Sequence, residues 1–569
     1  MHVSTTTRRS GENEYKAVLL RRSYRQDGKV KNETVGNLSH LPGWVIDGLR
    51  AMLAGRRLVD LDQEFEIVRS LPHGHVAMVL GVLRDLDLER VIGRERSRER
   101  DLVVAMICQR LIGPGSKLSM TRLLAQSTLH TELELGEVKE AELLSAMDWL
   151  LERQERIEKT LARRHLSDDG YVLYDLSSSY LEGRCCELGA VGYSRDGKPG
   201  KQQIVYGLCC SPEGRPVSIR VHAGNTADPA TLTDAVQRVK DTFGIKQLVF
   251  VGDRGMITDA RTVALKGLGV GFITSLRAPQ IQKLTVAPNF QLSLLDETGL
   301  CEIASPEFPG ERLVVCRNPA VAAERARKRS ELLAATEAEL DKVKTMVHGP
   351  RGRLRNATAG AIGQRAGRVV NQKKMAKHFT LTITDASFTY ERNQAQIDEE
   401  ALLDGIYILR TDQPTTQIGS AAVVRAYKGL KVNERSFKQM KSAIEIRPVH
   451  HRLTDRVRAH AFLCLLARYV QYELEQRLAP LLFTDDTPTA AADPTSPARR
   501  SPAAQTKAGR AHTPDGYPAH TLQDLLAALG TITKNTLRIA TSQHTFTRTT
   551  TPTDLQAHAL DLARVTIGK

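Results

Sequence analysis

Between residues 169 and 280 short apolar runs alternate with segments of helical period, and this alternation limits the fold more than any other feature of the chain. "GYVLYDLSSSYLEG" is strand-like, with an acid, Asp175, near its end. "KQQIVYGLCC" and "RPVSIRVHAG" read as strands joined by the turn "SPEG". "DPATLTDAVQRVKDTFG" opens with an Asp cap and a proline in its first turn, then takes a helical period. "KQLVFVGDRGM" is a short buried strand ending in Asp253 and a glycine turn, "TDARTVALKGLG" a helix with a glycine stop, and "VGFITSLR" another strand. The order β, β, β, α, β, α, β predicts an α/β domain with a mixed sheet and helices on its faces.

The flanks differ. Residues 1–64 hold an alternating stretch around Gln26-Asp27-Gly28 that reads as a β-hairpin. Residues 65–168 form a helical module. Pattern alone leaves two uses open for it, DNA binding or bracing the next domain. Residues 281–410 read as an insertion containing strands, the long helix "AAERARKRSELLAATEAELDKVKTMV" and a basic stretch from Lys342 to His378 without an acid. That stretch is either a solvated face or a DNA contact. Residues 411–483 return to the core, with the helix carrying Glu434 and an apolar helix, "RVRAHAFLCLLARYVQYELEQRL". Residues 484–518, rich in Pro, Ala and Thr, read as a disordered linker, and 519–569 as a tail with one short helix.

With 569 residues and a net charge of +15, the chain is expected to meet a polyanion, nucleic acid first. No apolar run approaches the ~20 residues of a spanning helix, so no membrane partner is expected. The N-terminus shows no apolar core of a signal peptide, and the expected location is cytoplasmic. The eight cysteines lack CxxC spacing. The pairs Cys185-Cys186 and Cys209-Cys210 lie in strand-like sequence, where neighbours face opposite ways, so reduced thiols are expected rather than a zinc site.

Three acids stand out. Asp175 and Asp253 end strands, and Glu434 is the single acid of the basic helix "YKGLKVNERSFKQMKS". Each has an ordinary alternative: Asp253 as a turn residue, Asp175 as a cap, Glu434 as a partner of Lys431 or Lys438. Together, acids at one sheet edge repel unless a cation intervenes. Oxygen-only ligands suit Mg²⁺, with Mn²⁺ as the alternative. Two such ions about 3.5–4 Å apart serve phosphoryl transfer. The three carboxyls are expected within metal-bridging reach. On one continuous helix, Tyr427, Glu434 and Lys441 share a face, since each seven-residue step drifts only about 20°. Lys431, Arg435 and Lys438 would join them in holding a phosphate backbone.

These residues resemble the DDE-type transposases of bacterial insertion sequences, in the branch with a Y-x2-R-x3-E-x6-K signature. Tyr427, Glu434 and Lys441 match the signature, and Leu430 departs from it at the arginine. Asp175 in "YDLSSSYLEG" and Asp253 in "VFVGDRGM" match the first two acids, and Asn225 and Asp228 match the G-N-x-x-D stretch between them. "YRQDGKVKNETVGNLS" and "IRPVHHRLTDRVRAHAFLCLLA" resemble the family's ends.

The resemblance implies an RNase H-like core interrupted before the third acid by a β-containing insertion. It implies Asp175, Asp253 and Glu434 as catalytic and metal ligands for two ions, cleavage at element ends, and strand transfer by the freed 3′-hydroxyl. Tyr427, Lys431, Arg435, Lys438 and Lys441 would contact DNA. The partners would be the double-stranded element ends and target DNA, with a homodimer when DNA is bound, at the bacterial nucleoid. Two rival readings remain: an RNase H-like nuclease or resolvase without strand transfer, and a catalytically inactive DNA-binding derivative.

Overall fold

The computed structural model describes every residue except 11–12, 57–64, 169, 246–247, 287–298, 486–499, 541–542 and 569. The chain divides into two compact units, one of residues 1–71 with 533–550 and 568–569, the other of 72–532 with 551–567.

In the first unit, β1 (His2–Ser10), β2 (Asn13–Gln26) and β3 (Lys29–Asn37) form an antiparallel sheet, followed by α1 (Gly43–Leu53). Asp27 and Gly28 take φ of 50° and 74°, the two left-handed positions of a tight hairpin turn. β4 (Phe65–Pro72) joins a second sheet with Thr533–Ile539 and Thr545–Thr549. The expected tail at 519–569 is therefore shared out. Its strands complete this unit, while its helices Leu522–Gly530 and Asp554–Ala563 belong to the other.

The second unit begins with the helical module: α2 (Gly74–Asp85), α3 (Arg98–Ile112), α4 (Lys117–Leu123), α5 (Glu140–Glu152) and α6 (Gln154–His165). Ser97 and Ser116 accept N–H bonds from Arg100 (3.2 Å) and Ser119 (3.0 Å), so each helix starts at a side-chain cap. Glu158 of α6 is fully buried and fastens the module to the sheet that follows. It accepts from Arg238 (2.6 Å), Ser218 (2.9 Å) and the Ile219 N–H (3.2 Å).

That sheet contains β5 (Gly170–Tyr180), β6 (Gln203–Cys210) and β7 (Pro216–Ala223). After α7 (Asp228–Asp241) come β8 (Leu248–Val251), α8 (Asp259–Gly267) and β9 (Gly271–Ser275). β5, β8 and β9 run parallel, β6 pairs antiparallel with β5, and β7 pairs antiparallel with β6. This mixed sheet with covering helices is the α/β arrangement expected from the sequence. The insertion boundary is less simple than expected. β10 (Leu300–Ile303), β11 (Arg312–Arg317) and β14 (Ile406–Thr411) extend the same sheet to eight strands, in the order β10-β11-β14-β9-β8-β5-β6-β7. Leu313, Val314, Val315 and Cys316 are all fully buried, as a strand covered on both faces requires.

What departs from the sheet is α9 (Pro319–His348), α10 (Ala359–Gln372) and the hairpin of β12 (Phe379–Thr384) with β13 (Ser387–Arg392). These share their own core, including Leu340, Val343, Ile362, Val370 and Phe388. Part of the basic stretch at 342–378 lies on an ordered helix. In α10, Ile362, Ala366 and Val370 face the core, and Arg365 and Arg368 face solvent.

The core strands lead to α11 (Ser420–Lys428), α12 (Leu430–Ser442) and α13 (Thr454–Arg477). α13 is buried on nearly every side, as its apolar sequence demands. Two local readings are corrected. Cys209 and Cys210 lie in β6, but Cys185 and Cys186 sit in a loop, because β5 ends at Tyr180. Of the linker expected at 484–518, residues 486–499 lie outside the described residues, but Pro502–Arg510 forms a helix. The reason is a cap and an anchor. Ser501 Oγ accepts the Ala504 N–H at 3.1 Å, and the Lys507 ammonium donates to the Ala479 carbonyl at 2.9 Å.

Candidate active site

Register places the first two acids. β5 and β8 are parallel neighbours with Leu173 opposite Val251. Asp253 lies two residues past Val251, beyond the carboxyl end of β8, where open α/β sheets place their ligand crevices. Asp175 lies two residues past Leu173 but does not end its strand as expected, because β5 runs on to Tyr180 in its pairing with β6. Asp175 is half-buried and Asp253 exposed.

The third acid arrives by packing. Asn433, Ser436, Phe437 and Met440 form the buried stripe of α12, and Phe437 meets Tyr206 of β6 edge-on at 5.7 Å. The opposite stripe, Lys431, Glu434, Arg435 and Lys438, faces solvent. None of these four side chains makes a hydrogen bond or ion pair among the described residues, so Glu434 is not neutralised by its helix neighbours.

The charges of Asp253 and Glu434 both act on Asp175. Burial first, then the carboxylates of Asp253 and Glu434, push the Asp175 carboxyl up to about 7, against the pull of the Leu176 N–H and Arg195. The Leu176 N–H donates to Asp175 Oδ1 at 2.7 Å. Asp253 Oδ1 accepts from the N–H groups of Gly255 (3.0 Å) and Met256 (2.9 Å). Asp253 is therefore a turn residue as well as a site residue. In both aspartates these hydrogen bonds fall on Oδ1. Three carboxylates make an all-oxygen donor set that fits Mg²⁺ or Mn²⁺ in kind. The expected convergence is incomplete, however. Among the described residues no three His, Cys, Asp or Glu side chains lie close enough together to hold a metal ion.

The crowding of Asp175 has a consequence for stability. Its folded pKa lies above the unfolded value of about 3.9. The folded chain's advantage is then complete at low pH and is lost as pH rises toward 7. Without divalent cations, the melting temperature of the wild type should fall more between about pH 4.5 and 7.5 than that of Asp175→Asn. Parallel pH profiles in a differential scanning measurement would contradict the crowding.

Tyr427 lies at the same edge. Its hydroxyl shares a 2.8 Å hydrogen bond with Ser275 at the end of β9. Burial raises its pKa, with Asp253 and Asp175 adding to the shift. It is on α11, however, not on Glu434's helix. The single helix expected over 427–442 is interrupted at Gly429. A Cβ there would meet the Ala426 carbonyl at 2.9 Å and Leu173 of β5 at 3.3 Å, so glycine lets the helix junction press onto the strand. Leu430, at the departed arginine position, packs against the core.

Lys441 is turned elsewhere. Its ammonium pairs with Asp196 Oδ1 at 2.8 Å, and only 11% of its side chain is exposed. Arg447 reaches the same oxygen at 2.5 Å, and the Tyr180 N–H donates to Asp196 Oδ2 at 3.1 Å. Asp196 thus ties the loop after β5 to α12, and that loop carries Arg195, whose charge acts on Asp175. Sequence reading missed Arg195 and Asp196. The available signal was the one that exposed Glu434, a lone acid in a basic stretch, here "YSRDGKPGK". Asn225 is exposed in the turn before α7, and the Asp228 side chain lies outside the described residues.

Comparison with known proteins matches two stretches of the chain to transposase families. Residues 184–470, half the chain, match the family described as the transposase DDE domain. Residues 3–60 match the N-terminal domain of IS1634 family transposases. The DDE match spans Asp253 and Glu434 and begins after Asp175. No curated protein sequence matches the chain. Among solved structures, a piggyBac transposase synaptic complex with hairpin DNA aligns over 71% of this chain and 79% of its own, at 10% identity and a TM-score of 0.24. No described helix is long and apolar enough to cross a membrane.

Proposed function

The chain belongs to the DDE transposase family, and from that premise we propose that it cuts the ends of its own insertion sequence and joins them to target DNA, with Asp175, Asp253 and Glu434 as the catalytic carboxylates. The observation that supports this most is the register Leu173–Val251, which puts Asp175 and Asp253 on neighbouring parallel strands, with the charges of Asp253 and Glu434 both acting on Asp175.

Asp175, Asp253 and Glu434 would hold two Mg²⁺ or Mn²⁺ ions. Such ions, if held there, would supply charge stabilisation for an in-line displacement. The chain's residues do the positioning. The exposed Lys431, Arg435 and Lys438 present three cations beside Glu434 and would hold a DNA backbone across α12. Tyr427, fixed by Ser275, orients the strand against Asp253. Burial and the neighbouring carboxylates raise the Asp175 carboxyl to about 7, and a nearby positive charge would favour its ionised form. Phosphoryl transfer needs position and charge neutralisation more than a nucleophilic side chain. In this reading the protein works at the bacterial nucleoid, as a homodimer on paired ends.

Strand transfer separates this reading from a nuclease that only cuts. Purified protein with Mg²⁺, end-containing duplex and a target plasmid should yield covalently joined products. Cleaved ends without any joined product would favour the nuclease.

A further inference from the structure

A second basic site lies where the helical module meets the segment between α12 and α13. A cavity of about 400 Å³ opens there, and neither Asp175, Asp253 nor Glu434 lines it. Arg110 of α3, Lys117 of α4, Arg456 and His460 of α13, and Arg447 and His451 of the connecting segment supply its walls. His450 and Arg452 add two basic groups. The acids on the wall are Glu140 of α5 and Glu445, both exposed.

Several of these groups are already engaged. Arg110 donates to the carbonyls of Ile444 (3.2 Å) and Glu445 (3.3 Å). Arg447 pairs with Asp196, and Arg456 reaches Asp148 at 3.4 Å. The Lys117 ammonium is not engaged. Lys117 is 6% exposed, yet it makes no hydrogen bond and no ion pair among the described residues. The His460 ring meets the Ile446 carbonyl through Nε2 at 3.1 Å, while Nδ1 is buried without a partner, as is Arg456 Nε. Polar and charged groups buried this way cost several kcal/mol unless a partner reaches them. Of these, the Lys117 ammonium is the buried charge that lines the open cavity and has no partner among the described residues.

We infer that this cavity binds a phosphate group, held by Lys117 with Arg110, His451 and Arg456 around it. A tetrahedral anion offers enough acceptor oxygens to meet donors arriving from α3, α4, α13 and the connecting segment at once. The electrostatics agree. Burial, with repulsion from Arg110, lowers Lys117 to about 7; burial, with Lys117, Arg110, Arg456 and His450, lowers His451 to about 4. An arriving anion reverses those shifts, so binding takes up protons and tightens as pH falls. The source of the phosphate is either a DNA backbone, which rests on the proposed function, or free phosphate, which does not.

The test uses the full chain. The melting temperature of the wild type should rise in inorganic phosphate relative to chloride at equal ionic strength, more at about pH 6.5 than at 8.5. Lys117→Met keeps the buried stem and removes the charge. It should melt higher than wild type without phosphate and lose the phosphate-specific rise. If Lys117→Met fails to fold, Arg456→Gln, at a partly exposed wall position, should halve the rise or more. On duplex DNA over a salt series, a slope lower by about one for the variant identifies a backbone phosphate as the ligand. An unchanged slope with a lost phosphate rise identifies free phosphate. No phosphate-specific rise in the wild type, together with an unchanged slope, overturns the site. Asp253→Asn should keep the phosphate rise, so failure of this site and failure of the catalytic assignment read separately.

Discussion

Asp253→Asn should abolish Mg²⁺-dependent cleavage of end DNA while leaving the fold and DNA binding intact. The expected loss is at least about a thousandfold, equivalent to roughly 4 kcal/mol of transition-state stabilisation. The substitution is clean because of what Asp253 does locally. Its Oδ1 accepts the Gly255 and Met256 N–H groups, and asparagine retains an oxygen there. The turn therefore survives, and only the charge directed at the crevice is lost. Alanine would remove both the charge and the turn, so a loss of activity in that variant would not separate them. Gel-shift binding to end DNA and a nicking assay on the same preparation decide the matter. Substantial cleavage by purified Asp253→Asn would remove it from the catalytic set.

The second large effect is expected at Asp196. Asp196→Ala strands Lys441 and Arg447, 11% and 31% exposed, without their shared carboxylate. Breaking such a pair costs about 3–5 kcal/mol when both charges stay dry, and less here because Arg447 reaches water. The Tyr180 N–H also loses its acceptor at the end of the strand that carries Asp175. Cleavage should fall by about tenfold or more, through a displaced loop and a loosened α12. Asp196 and Lys441 are positioning residues in this account, and a salt series distinguishes that from a direct DNA role. Lys438→Ala removes an exposed cation and should lower the salt slope of end binding by about one. Lys441→Met should leave the slope unchanged and still slow cleavage. A lowered slope for Lys441→Met would return Lys441 to the phosphate contacts expected from its place in the signature.

How much of this was legible beforehand differs from residue to residue. The strand and helix order from Gly170 to Ser275 followed from local periodicity, because burial on a sheet or helix face imposes a repeat that the residues must carry. The hairpin at Asp27-Gly28 was equally plain, since few residues accept two left-handed positions in a row. The insertion was harder to bound. "ERLVVCRN" reads as a strand from its own residues, but its place beside β14 in the main sheet is a long-range pairing that local sequence does not encode. The helix at Pro502–Arg510 was obscured by composition, although Ser501 and Pro502 are ordinary helix-start signals.

The candidate site divides along the same line. By itself the sequence nominated the candidate side chains: two aspartates in strand-like runs, one glutamate in a basic helix, and the signature around it. Their mutual placement was decided by tertiary structure alone. Strand register set Asp175 beside Asp253, and packing of Phe437 on Tyr206 brought Glu434 to the same edge. Tertiary structure also turned Lys441 from the expected DNA face into an ion pair with Asp196, a residue 245 positions away. Spacing along a helix fixes only the direction in which a side chain leaves the axis. What it meets there depends on which distant charge the fold has already buried and left needing a partner.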